Sequence, residues 1–178
     1  MTKQNRRCYL VEPQIEEKKV DYRPLGISGL GGWLILVHIG LYLTIIMLVV
    51  QLFQYLLPSM TRETWELLTS KQSDYYHAWW GPVLIFETVY NVLFLVFSVY
   101  TLITFYRKKS IFPRLMIMFY SVSLAVGIID YLLLLQIPMA VELEDGSSLK
   151  GIGRSVLTCA IWIPYFIKSV RVHNTFVR

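Results

Sequence analysis

Glu87, Asp130 and Arg154 each stand inside or at the edge of a long apolar run. A charge in hydrocarbon costs at least ~2.5–3.5 kcal/mol even on insertion scales, so such groups are kept for pairing with one another or for a ligand. Helical spacing gives each a face. Glu87, Asn91, Phe94, Ser98 and Thr101 share one stripe by the i, i+3/i+4 rule, and Tyr120, Ser123, Gly127 and Asp130 share a second. A third is formed by Arg154, Thr158, Trp162, Tyr165 and Ser169. Faces carrying polar and small residues should point into a bundle rather than at lipid. The simplest arrangement sets Arg154 between Glu87 and Asp130, donating charge-assisted hydrogen bonds to both. Asn91 joins that cluster, with Ser123, Thr158 and Tyr165 as secondary members. One use is an internal ion-pair network that fixes helix register. The other is a polar cavity that binds a ligand, a lipid headgroup or a proton.

Other chemistries have less to build on. A haem between helices would want two axial histidines, yet His38 is expected inside a span while His77 and His173 fall in a connection and in the C-terminal tail. No Cys/His grouping has metal-ligand spacing. Nucleophile elbow, phosphate loop and HExxH signatures are missing from the sequence. The expectation is a protein without catalytic residues, metal or cofactor, in which His38 packs or meets the membrane interface. Gln51 and Gln54 are expected to meet headgroups.

The elements that must position the cluster are transmembrane helices. Of 178 residues, 55% are hydrophobic and 16% charged, and a soluble chain this apolar would aggregate. The net charge of +5 does not point to nucleic acid, because the basic residues lie between apolar runs instead of on a soluble basic face. Four spans follow, at about residues 33–57, 83–106, 112–137 and 152–167, the first long enough to exceed the ~20 residues a bilayer requires. Pro58 closes the first, Gly81-Pro82 precedes the second, Pro138 stops the third, and Pro164 lies within the fourth, where neighbouring helices can satisfy the freed carbonyl. Residues 1–28, polar and broken by Pro13 and Pro24, read as a mobile or membrane-surface tail without a cleavable signal. Cys8 in that tail and Cys159 in the fourth span should not meet.

Lys and Arg fix the orientation. The tail, the second connection (Arg107, Lys108, Lys109, Arg114) and the C-terminus hold thirteen, against four for Arg62, Lys71, Lys150 and Arg154 on the other side. The positive-inside rule therefore puts both termini in the cytoplasm. On the outer side, the stretch from Thr61 to Leu68 is expected to form a short surface helix with Trp65 and Leu68 on one face. Tyr75, Tyr76, Trp79 and Trp80 read as an interfacial aromatic belt. Glu87, Asp130 and Arg154 then share one depth, near the outer leaflet.

Several segments resemble one family. They are Leu30-Gly31-Gly32-Trp33-Leu34, Glu87 with Asn91, Arg107-Lys108-Lys109 before Phe112-Pro113, and Trp162-Ile163-Pro164-Tyr165-Phe166 followed by Ser169, Arg171, Thr175 and Phe176. Over residues 28–178 the chain resembles the YdgK-like group of four-span bacterial inner-membrane proteins of unknown function. The resemblance implies an all-α four-helix bundle in that membrane and carries no activity. Short connections leave little room for an independent active site, so the first expectation is a non-enzymatic accessory or interaction subunit, with another membrane protein or a second copy as partner. The alternative is binding or transport of a small or lipid-like ligand through the cavity around Glu87, Asp130 and Arg154.

Overall fold

A computed structural model describes residues 29–177. The tail of residues 1–28, with Cys8, lies outside the described residues. Within them every regular element is helical. The first helix, α1 (Trp33–Gln51), runs through a π-helical turn (Leu52–Leu56) into the short α2 (Leu57–Ser59). Pro58 explains the wide turn: it has no N–H for the preceding carbonyls, and its ring crowds the turn before it. The ladder loosens just ahead, with the Leu57 N–H reaching back to the Leu52 carbonyl.

Next come α3 (Arg62–Thr69), α4 (Trp80–Tyr106), α5 (Phe112–Leu134), α6 (Pro138–Leu143), α7 (Ser147–Lys168) and α8 (Val170–Thr175). Three helical stretches are long and apolar enough to cross a membrane: Trp33–Ser59, Trp80–Tyr106 and Phe112–Leu134. At 22 residues α7 has the length to cross, but Lys150, Gly151, Gly153 and Arg154 make its first turns more polar. The second long helix begins three residues before Val83, placing Pro82 in its first turn, where the N–H has no intrahelical acceptor. Phe112–Leu134 ends three residues short of Ile137, because Leu135 to Ile137 fold into a tight turn that hands the chain to α6.

The order of packing is α1 on α4, α4 on α5, and α7 along α5. One end of the bundle carries the described termini and the 107–111 turn. There Phe105, Phe112, Phe166 and Phe176 close into one aromatic core, the Phe112 ring 4.5 Å from Phe176, 5.1 Å from Phe105 and 5.9 Å from Phe166. The C-terminal segment docks on the entry to α1. The Thr175 hydroxyl accepts the Gly29 N–H at 3.0 Å, and the Arg171 guanidinium lies so close that a Cβ on Gly32 would fall 2.8 Å from its Nη1. Gly32 also has φ +65°, where any side chain is strained. Trp33 and Trp162 meet edge-on at 6.1 Å, tying α1 to α7 at this end.

The opposite end carries the longer connections. There α3 leans on the start of α4, with the Trp65 ring and Thr69 methyl against Gly81. Trp65 and Leu68 are half-buried, while Tyr75, Tyr76 and Trp79 are exposed.

Candidate functional site

A cavity of about 460 Å³ opens in the half of the bundle nearest the connections. Four helices line it. Leu43, Thr44, Met47, Leu48 and Gln51 come from α1, Glu87 and three aromatic residues from α4, Ser123, Gly127 and Asp130 from α5, and Gly151 and Ser155 from α7. The opening exists because each flanking helix packs on its inner neighbour, α1 on α4 and α7 on α5. The face α7 turns toward the gap carries only small residues. A Cβ built on Gly127 or on Gly151 meets nothing within 4 Å, so both glycines border empty space.

Glu87 and Asp130 are the charged residues of the lining, one contributed by α4 and the other by α5. Asp130 Oδ1 is buried without a hydrogen-bond partner among the described residues. Asn91 sits on the same face of α4, one turn deeper than Glu87, and is 1% exposed. Neither its Nδ2 nor its Oδ1 has a partner among the described residues. A buried unpaired amide is costly, on the order of 1–3 kcal/mol for each unmade bond. Helix hydroxyls nearby are occupied differently: Ser98 donates to the Phe94 carbonyl at 2.7 Å and Thr101 to that of Phe97 at 2.8 Å. Their polarity is spent on their own helix.

Arg154 requires a correction. It is exposed, takes no part in lining the cavity, and makes no ion pair with either carboxylate among the described residues. The cause is helical phase. Toward the bundle α7 turns Gly151, Ser155, Cys159, Trp162 and Phe166, a stripe one position on from the one that begins at Arg154; Cys159 Sγ donates to the Tyr120 carbonyl at 3.3 Å. Desolvating a guanidinium costs several kcal/mol, and in the second turn of a helix a long side chain can reach polar surroundings instead. Thr158 follows Arg154 out of the site, its hydroxyl donating to the Arg154 carbonyl at 2.8 Å.

Of the other expected members, Ser123 lines the cavity. Tyr165 belongs to the aromatic core at the far end, 5.6 Å from the Trp162 ring and 5.5 Å from Phe166. Gln51, assigned to headgroups from the sequence, instead stands at the cavity wall. Its position one turn beyond Met47 and two beyond Thr44 was the available signal, as was the small-residue spacing Gly151, Ser155, Cys159 on α7. His38 stacks on Phe105 at 5.1 Å and hydrogen-bonds Tyr106, which in turn meets Tyr42 at 2.9 Å. That network lies at the closed end, away from the carboxylates.

A protein-family model described as a protein of unknown function, DUF2569, matches residues 27–177. No curated protein and no solved structure matches the chain.

Proposed function

Because the chain belongs to the DUF2569 family of proteins of unknown function, its activity must be sought in its own geometry, and we propose that it is a multi-span membrane protein that binds a small or lipid-like ligand in the cavity between α1 and α7. The observation that carries this is the cavity of about 460 Å³ in contact with both intramembrane carboxylates. It falls in the usual size range for small-molecule sites, and it combines apolar walls with a few convergent polar groups. An ion-pair network built only for packing would have drawn Arg154 inward and left little volume. That contrast favours binding over a purely accessory role.

The reading includes a non-enzymatic protein of the YdgK-like kind, with α7 as fourth span, both termini in the cytoplasm and the cavity in the outer half of a bacterial inner membrane. The distribution of Lys and Arg supports this orientation.

Filling the cavity tests the reading. Leucine at Gly127 or Gly151 enters open space, so both variants should fold. Purified in mild detergent, the wild type is expected to retain a lipid-like molecule visible by native mass spectrometry, and Gly127→Leu and Gly151→Leu to lose most of it. Gly40→Leu, also facing open space but on α1 outside the lining, should retain it. Equal retention in all four proteins, or none in the wild type, would overturn the assignment.

A further inference from the structure

The cavity's charge says which ligand it suits. Glu87 and Asp130 both line the cavity with no cationic side chain of the described residues in the lining, since Arg154 is exposed. Neighbouring carboxylates in a medium of reduced dielectric repel one another when ionised, and an anionic occupant would add to that negative charge. Complementarity therefore calls for a positive group. The Asp130 Oδ1 acceptor, buried and unpartnered among the described residues, adds hydrogen-bonding capacity that an N–H-bearing cation would use. Tyr90, stacked on Phe94 at 5.1 Å, stands on the same wall, and an aromatic ring attracts cations.

The rest of the wall is apolar. Leu43 and Met47 border the mouth and are more than half exposed, so an occupant's hydrocarbon part can continue from the cavity along α1. We propose that the occupant is a cationic amphiphile, with an ammonium head between Glu87 and Asp130 and a hydrocarbon body along Leu43, Met47 and Phe86. This rests on the cavity being a binding site and specifies the chemistry it selects.

The test uses the full chain reconstituted in phosphatidylcholine vesicles, with radiolabelled dodecylamine and dodecanol as probes and protein-free vesicles to subtract bilayer partitioning. Saturable dodecylamine binding at least tenfold tighter than that of dodecanol is expected near neutral pH. The Glu87→Gln/Asp130→Asn double variant should lose that preference while still binding both probes weakly. Equal saturable binding of the two probes by the wild type would overturn the ammonium assignment and leave the cavity reading standing. No saturable binding of either would overturn both. An undiminished amine preference in the folded double variant would remove the carboxylates from the site. Should that variant fail to fold, the wild-type preference together with its loss in Gly151→Leu decides the matter, and a preference that survives Gly151→Leu places amine binding elsewhere.

Discussion

At the scale of single residues, Asn91 bears the sharpest consequence of the arrangement. Its amide is 1% exposed and unpartnered among the described residues, so the folded protein carries a desolvation cost. Asn91→Leu removes the orphaned groups at similar volume. Without ligand it should raise stability by about 1 kcal/mol, the order of a lost polar penalty, measured as the midpoint of thermal unfolding in delipidated detergent micelles. A fall of similar size would mean that the amide holds helices together. Asn91, Glu87 and Asp130 were legible because polar residues in apolar runs are conspicuous. Arg154 was equally conspicuous and was assigned to the wrong side of its helix. Trp162 belongs to both candidate stripes of α7, and hydropathy alone does not separate two faces that share a residue. Contact with α5 decides it.

At the scale of elements, the start of α7 shows how the fourth long helix is held. Glu144 accepts the Ser148 N–H at 3.0 Å and the Ser148 hydroxyl at 2.6 Å, and Asp145 accepts the Ser147 N–H at 3.0 Å. These bonds satisfy N–H groups that the helix leaves without acceptors, and negative charge there complements the helix dipole. The same bonds, Ser148 first for Glu144 and Ser147 first for Asp145, hold both carboxyl groups below their ordinary titration range. The stability they lend is therefore present above the ordinary carboxylate pKa and is lost as pH falls through the lowered values. Glu144→Gln should lower the unfolding midpoint by a few degrees at neutral pH, with the difference from wild type vanishing once the pH falls below the lowered Glu144 value. A difference that persisted into acid would point to packing rather than charge. The short surface helix after Thr61 could be read from its spacing, and α3 occupies Arg62–Thr69. The π-turn before Pro58, α6 and α8 could not, since each arises from how a proline or a terminal segment meets the bundle and leaves little local periodicity.

At the scale of the whole molecule, the two ends of the bundle differ in a way that fits an outward-facing site. The end with the described termini is closed by the phenylalanine core and by Arg171 and Thr175 clasping the entry to α1. Much of the sequence carrying the family resemblance converges on that closure, including Gly32, Trp33, Phe112, Trp162 and Phe176. Those segments were readable as motifs, but their common role was hidden because Gly29 and Thr175 are 146 residues apart. The connection end is open, and it should face away from the cytoplasm if α7 crosses the bilayer. Single cysteines at Ser73 and Ser110 in a Cys8→Ser/Cys159→Ser background test this. Ser73 lies between α3 and α4, and Ser110 in the exposed turn between α4 and α5. In intact cells with a permeable outer membrane, a membrane-impermeant maleimide should label the cysteine at 73 and spare the one at 110 until the inner membrane is lysed. A reporter fused after Arg178 should be active in the cytoplasm. Labelling of 110 in intact cells would invert the protein, and an exported reporter with 73 still labelled would remove α7 from the spanning helices. In the second case the α7 wall would no longer cross the membrane, and the lateral mouth between α1 and α7 would have to be abandoned.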